Sequence, residues 1–85
     1  MISIAARKAL DNLVSRSNVR YGQPASTHEC MGVAIEEWHE LIEAVHANDA
    51  EAIRHEALDL AAILIRMHDA MGSDPAFIKR SGCNA

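Results

Sequence analysis

The sequence predicts an all-α fold, an antiparallel helical bundle of three main helices plus a short C-terminal helix. Two observations predict it. Apolar residues recur every three or four positions along three separate stretches, which is the period of an amphipathic helix. No stretch shows the strict alternation of apolar and polar residues that marks a half-buried strand. The 85 residues are too few for a second domain, so we interpret residues 1–85 as a single unit.

The first segment is predicted to be an amphipathic helix that ends before Ser15. Its apolar residues have helical spacing and are Ile2, Ala6, Ala9, Leu10, Leu13 and Val14. The following stretch, residues 15–25, is rich in polar residues and contains Gly22 and Pro24. Because glycine and proline interrupt regular structure, we expect a loop there.

The second helix is predicted to begin after Ser26, because Ser26 and Glu29 have the spacing of a capping box. Its apolar residues form one continuous stripe of Met31, Ala34, Ile35, Trp38, Leu41, Ile42 and Val45. This stripe predicts a helix to about Ala47. Trp38 lies at the centre of the stripe, and we expect it in the core or in a dimer interface rather than against a nucleobase.

The third helix is predicted from about Ala50 to Met71. Asn48 and Asp49 suit a tight connection, with Asp49 as the N-cap, and Gly72 suits the position after the last turn. A short final helix is expected to restart at Asp74-Pro75, since proline is favoured at the first helical position.

The third helix also predicts assembly. Every residue from Ala57 to Ile65 is apolar except Asp59, so this helix is hydrophobic almost all round and needs cover on most sides. Three other helices in a chain this short barely provide it. We therefore expect a homo-oligomer, a dimer or a dimer of dimers, formed through an isologous helical interface.

Composition excludes several classes of function. The net charge of −4 argues against binding a nucleic acid polymer, which needs clustered Lys and Arg. No apolar run reaches the ~20 residues of a membrane span. Cys30 and Cys83 are not closely spaced, and no signal peptide precedes the first helix. We expect reduced thiols and a cytoplasmic protein.

Two pairs of carboxylates are predicted to meet between the second and third helices. Glu37 and Glu40 are three residues apart, and so are Glu56 and Asp59, so each pair projects from one side of its helix. A short turn makes the two helices antiparallel neighbours. Glu37 falls just beyond the edge of the apolar stripe, where it can enter the space between packed helices.

Four carboxylates in one cleft require a counter-charge. Each close pair costs on the order of 4 kcal/mol at an effective dielectric constant of 20. All-oxygen ligands favour Mg²⁺, with Mn²⁺ as a substitute. The alternative is a solvated face for Glu36, Glu40 and Glu43, with Glu56 paired to an arginine. Asp59 is hardest to explain in that way, because it lies in an apolar run.

The histidines suggest a second kind of metal site, which we consider less favoured. Glu36-x-x-His39 and Glu43-x-x-His46 both fit the Glu-x-x-His element of di-iron bundles. That architecture places its two elements on different helices, whereas both lie on one helix here. We expect the five histidines, His28, His39, His46, His55 and His68, at the surface or in an interface.

The carboxylate pattern resembles that of a known family. Glu36-Glu37-x-x-Glu40, fifteen residues and then Glu56-x-x-Asp59 match the EExxE…ExxD signature of the MazG-like, all-α nucleotide pyrophosphohydrolases. The resemblance covers roughly residues 20 to 70 and is closest to a small subgroup common in phage and mobile-element genomes. The residues that suggest this subgroup are Pro24-Ala-Ser-Thr-His-Glu29, Gly32-Val33, Ala61-Ala62 and Arg66.

The resemblance implies hydrolysis of a nucleoside or deoxynucleoside triphosphate to the monophosphate and pyrophosphate. It implies Mg²⁺ ligation by Glu37, Glu40, Glu56 and Asp59, with Glu36 as a general base. Many relatives carry more basic residues after the second motif, and only Lys79 and Arg80 follow it here. Contacts to the phosphates are therefore expected from these two residues, from Arg54 or from a second subunit.

Three alternatives stay open. The resemblance also extends to pyrophosphohydrolases that act on phosphoribosyl-ATP. The chain can instead be a helical dimer that binds a metal ion or a nucleotide without turnover. The acids can also be a solvated face of a purely structural bundle.

Overall fold

The computed structural model describes residues 1–73, which form three helices and no strand. Helix α1 spans Ile4–Tyr21, α2 spans Thr27–His46 and α3 spans Ala50–Ser73. The all-α prediction is confirmed. The short helix expected at Asp74-Pro75 lies outside the described residues. None of the three helices is long and apolar enough to cross a membrane.

The predicted starts of α2 and α3 are confirmed by their caps. The Ser26 hydroxyl accepts a hydrogen bond from the Glu29 amide, and the Asp49 carboxylate accepts one from the Ala52 amide, each over 3.1 Å. Both bonds satisfy amides that have no partner within the helix. Between the helices, Asn48 adopts a left-handed conformation with φ of 53°, which asparagine tolerates better than most residues. This tight turn makes α2 and α3 an antiparallel hairpin.

Helix α1 is longer than the sequence predicted. The expected loop over residues 15–25 is wrong for residues 15–21, because the helix continues to Tyr21. It ends only at Gly22, which has a φ of 71° and whose amide donates to the carbonyl of Asn18 over 2.9 Å. Residues 15–18 are polar but include neither glycine nor proline, so nothing in them stops a helix.

A contact with α3 holds this added part of α1. The Arg66 Nε donates to Asn18 Oδ1 over 3.0 Å, and Arg66 Nη2 donates to the carbonyl of Gly22 over 2.7 Å. The second bond satisfies a carbonyl at the helix end, where the backbone has no helical partner. A residue more than forty positions away along the chain thus anchors the end of α1.

The core is small and lies around α3. The buried apolar residues in the described part of the chain are Cys30, Ala44, Ala62, Ile63 and Ala70. Cys30 is a free, buried thiol, whereas Cys83 lies beyond residue 73. Helix α3 packs against both α2 and α1, whereas α1 and α2 do not pack directly against each other. Trp38 is not part of this core, since half of it is exposed.

Candidate metal centre

Carboxylates interrupt the apolar seam between α2 and α3. Residues that face the other helix recur at intervals of three and four, as in any packed helix pair. We call them the inner rows: Cys30, Ala34, Glu37, Leu41 and Ala44 on α2, and Glu56, Leu60, Ile63, Met67 and Ala70 on α3. All ten are buried or partly buried. Glu37 and Glu56 therefore occupy positions that would otherwise hold apolar side chains.

The structure brings the expected carboxylates together around Glu56. Oxygen atoms of Glu37, Glu40 and Glu56 lie within 4.8 Å of one another. Ligand atoms of His55, Glu56 and Asp59 form a second such group, in which His55 Nε2 lies 3.2 Å from Asp59 Oδ2. Glu56 belongs to both groups. The four residues named as ligands thus form one continuous acidic cluster, with His55 at its edge.

Two oxygens of this cluster have no partner. Oε2 of Glu37 and Oε2 of Glu56 are shielded from solvent and accept no hydrogen bond from the described residues. Leaving a shielded carboxylate oxygen unpaired costs about 1–3 kcal/mol or more, because it has lost its contact with water. A bound cation would remove that cost for both atoms at once.

The pKa values of the cluster are raised. Burial is the largest cause of the shift at Glu37, whose pKa lies at about 7. The charge of Glu40 is the next cause, and the charges of Asp59 and Glu56 add to it. Burial also raises the pKa of Glu56, again helped by Glu40. Near neutral pH the metal-free cluster therefore keeps a proton, which lowers the mutual repulsion of its carboxylates.

A cavity of about 480 Å³ opens beside the cluster, where α1 and α2 stay apart above α3. Glu37 and Asp59 form its acidic wall, and Arg66 and Tyr21 lie elsewhere on the lining. The remaining lining residues are mainly apolar: Leu13, Ser17, Pro24, Glu29, Val33, Ala62 and Ile63. Its volume and its mixture of apolar walls with a few charged groups are typical of small-molecule sites.

The other predicted site residues lie apart from the cluster. Glu36 is exposed and belongs to neither group of ligand atoms. Arg54 is exposed on α3 and does not line the cavity. Lys79 and Arg80 lie outside the described residues.

The sequence analysis assigned no contact with the substrate to Arg66 or Tyr21, which both line the cavity. Arg66 follows Asp59 by seven positions, which is two helical turns, so that both point to the same side of α3. This spacing was visible in the sequence. Tyr21 could not be found in that way, because the segment around it was expected to be a loop.

The donor set fits a hard divalent cation. Glu37, Glu40 and Glu56 offer only oxygen ligands, which Mg²⁺ and Mn²⁺ prefer. The nearby imidazole of His55 is mostly exposed and already contacts Asp59, so it is not needed to complete the site. The two unpartnered oxygens are on ligands of this oxygen set.

Comparison of the chain with models of known protein families, with curated proteins and with solved structures gave no match. Membership of the MazG-like family therefore stays a prediction from the motif, and any function must be argued from the site itself.

Proposed function

We propose that the protein is a Mg²⁺-dependent nucleoside-triphosphate pyrophosphohydrolase with a MazG-like fold. It would convert a nucleoside or deoxynucleoside triphosphate and water into the monophosphate and pyrophosphate. One observation carries the proposal: shielded, unpartnered carboxylate oxygens lie beside a cavity of the volume usual for small-molecule sites. A structural bundle has no use for this arrangement, because it weakens the fold without a ligand.

The metal ion would be held by Glu37, Glu40, Glu56 and Asp59. When bound, it would supply positive charge that offsets the charge developing on the phosphates, and it would help to activate water. The helices supply the positions of these ligands, since Glu37 and Glu56 are fixed in the packed seam. Glu40 is exposed at the edge of the seam.

Arg66 is proposed to contact the phosphates, because it is the cation that lines the cavity in residues 1–73. Two of its five N–H donors hold Asn18 and Gly22, so three are left for a ligand. The same bonds fix the guanidinium in place, which lowers the entropy lost on binding. Tyr21 offers an aromatic surface for the base at another part of the lining.

Glu36 remains the proposed general base. Its carboxylate belongs to neither group of ligand atoms, so it is not occupied by the metal site. It precedes Glu37 on α2 and is exposed, which allows it to accept the proton of an attacking water from the solvent side.

Binding without turnover is the second candidate. The observation that favours it is the small number of positive charges at the site. Within residues 1–73, Arg66 is the one basic side chain that lines the cavity. The substrate proposal likewise retains phosphoribosyl-ATP as an alternative.

We also propose that the active form is a homo-oligomer in the cytoplasm. The motif further suggests that the protein has a phage or mobile-element origin.

The test is release of pyrophosphate from canonical and modified (d)NTPs and from phosphoribosyl-ATP, with Mg²⁺ or with EDTA. We expect Mg²⁺-dependent release and a monophosphate product, and loss of both in Asp59→Asn. Asp69→Asn is the matched control, because Asp69 is an exposed acid of α3 outside the cavity.

Folded wild-type protein that releases no pyrophosphate from any substrate would sink the enzymatic proposal. Mg²⁺ and nucleotide binding without release would identify a binding module. If Asp69→Asn lost as much activity as Asp59→Asn, the acidic cluster would not be the site.

A further inference from the structure

Helix α1 carries a net charge opposite to that of the whole chain. It contains four basic residues and one acid, Asp11, whereas α2 contains five acids and neither lysine nor arginine. The full chain has a net charge of −4. Both helices line the cavity without packing against each other, so two of its walls belong to helices of opposite charge.

Two arginines of α1 line a groove beside the cavity. The groove has a volume of about 330 Å³, and its lining residues in the described part of the chain are Leu13, Arg16, Ser17, Arg20 and Tyr21. Leu13, Ser17 and Tyr21 also line the cavity, so the two spaces adjoin along α1. We call the smaller space the arginine groove.

Neither arginine of the groove has an acidic partner within residues 1–73. The ion pairs formed in this part of the chain each join a histidine to an aspartate, and none includes Arg16 or Arg20. The two arginines are four positions apart, which makes them neighbours on one side of α1. Like charges at this spacing repel each other and destabilise a helix. An anion bound between them would therefore stabilise α1.

Tyr21 positions one of the two guanidinium groups where the groove adjoins the cavity. The Cζ atom of Arg20 lies over the Tyr21 ring, 5.2 Å from its centre. A guanidinium group over an aromatic ring uses its flat face, so the N–H groups in its plane stay free. These donors match the oxygens of a phosphate and can bind two of them at once. Arg20 is thus oriented for contact with a phosphate.

The charge of the groove limits the class of ligand. Two arginines are too few for a nucleic acid polymer, which needs an extended basic surface. An apolar ligand would leave both positive charges without a partner. A compact anion with several oxygens, such as a phosphate or pyrophosphate group, fits the donors of both side chains.

We propose that the arginine groove binds the terminal phosphates of a polyphosphate chain whose other end lies in the cavity. The assignment of these phosphates rests on the function proposed above. There the oxygen of water bonds to the α-phosphorus, Glu36 accepts the proton, and the bond from the α-phosphorus to the bridging oxygen breaks. The β- and γ-phosphates then leave together as pyrophosphate.

Arg16 and Arg20 offset the charge that bond cleavage leaves on the pyrophosphate. The groove also favours triphosphates over shorter nucleotides, because a shorter nucleotide brings fewer phosphates to the two arginines.

Binding of inorganic pyrophosphate to the full chain in EDTA tests the groove without turnover. Titration calorimetry compares the wild type with Arg16→Gln, Arg20→Gln and the double variant. We expect each single substitution to raise the dissociation constant about tenfold and the double substitution about 100-fold, in line with the loss of charged hydrogen bonds. Arg7→Gln is the matched control, because Arg7 is an exposed arginine of α1 that lines neither space.

Competition in EDTA tests the link between the groove and the cavity. An equimolar mixture of the four canonical dNTPs should displace pyrophosphate. The corresponding dNDPs should displace it less well, and the dNMPs should require at least about tenfold higher concentrations than the dNTPs. If the dNTPs did not displace pyrophosphate, the groove would be a separate site for free pyrophosphate, which would contradict the proposal.

The binding experiment and the turnover experiment can fail separately. Arginine-dependent binding by a protein that hydrolyses no nucleotide would leave the groove in place and remove the proposed function. Mg²⁺-dependent turnover, with a wild-type affinity for pyrophosphate in the double variant, would overturn the groove alone. Wild-type protein that binds no pyrophosphate at millimolar concentration would also overturn it. Circular dichroism checks that the variants are folded, which we expect because glutamine is as good a helix former as arginine.

Discussion

The two faces of the α2–α3 hairpin differ in charge although the same two helices form both. The face toward α1 carries the α2 acids and the lining of a cavity, whereas the opposite face carries half-exposed apolar side chains such as Trp38 and Leu64. Between them, Glu37 and Glu56 sit in the seam itself. One position along the helix is enough to move a side chain from one environment to the other.

A short chain can thus place two different tasks on opposite faces of one helix pair. Burial that stabilises a fold and carboxylates that weaken it would conflict on one surface. Here the acids share a face with the cavity, where a cation can offset their repulsion. The apolar residues share the opposite face, where a second chain can bury them.

Glu56→Gln tests the cavity side where the two groups of ligand atoms meet. We expect pyrophosphate release to fall more than about 100-fold, because one residue supplies oxygen to both groups. In EDTA the same variant should unfold at a higher temperature than wild type, since an unpaired buried charge has been removed. Activity assays and thermal unfolding measure the two effects.

Glu43→Gln is the control for this variant, because Glu43 is an exposed acid of α2 outside both groups. Equal losses of activity in the two variants would remove the distinction between the cluster and the other acids of the hairpin.

The pH dependence of metal-free stability tests whether Glu37 is an uncompensated acid. Its pKa is about 7 in the fold and 4.5 as a free side chain, so the folded state binds the proton more tightly. The stabilisation from protonation is complete below about pH 4.5 and is lost as pH rises through 7. Over this window we expect the free energy of unfolding in EDTA to fall by about 1–3 kcal/mol, allowing for screening by solvent.

With saturating Mg²⁺ the free energy of unfolding should instead rise with pH, because the ligand carboxylates must lose their protons to bind the ion. Urea unfolding from about pH 4 to about pH 8 covers the titration and gives the pH dependence under both conditions. In EDTA, the Glu37→Gln variant should show a smaller decrease in the free energy of unfolding over the same pH range. If the free energy of unfolding of the wild type in EDTA rose with pH, Glu37 would instead be stabilised as an anion.

Arg66→Gln compared with Arg54→Gln tests which arginine of α3 serves the cavity. Arg66 lines the cavity, whereas Arg54 does not. We expect Arg66→Gln to raise KM about tenfold, in line with the loss of a charged hydrogen bond. It should also lower stability by about 1 kcal/mol, because Asn18 and Gly22 lose their donor. Arg54→Gln should change neither KM nor stability; the reverse result would restore Arg54 as the phosphate contact.

Local interactions made much of this protein predictable. The start of α2 depends on Ser26 and that of α3 on Asp49, and both caps act on an amide three residues ahead. The proximity of Glu37 and Glu56 was also predictable from the sequence. Two helices joined by a short turn pack side by side as antiparallel neighbours. Neither inference required knowledge of distant contacts.

The tertiary structure decided what lies farther apart along the chain. Arg66 lines the cavity and attaches the end of α1 to α3, and its partners Asn18 and Gly22 are 48 and 44 residues away. The exposure of Trp38 depends on which side of the hairpin α1 covers. Helical periodicity defines rows of side chains within each helix, but it does not say which row a third helix will occupy. That choice is made by the sum of long-range packing and hydrogen bonds, which exists only in the folded chain.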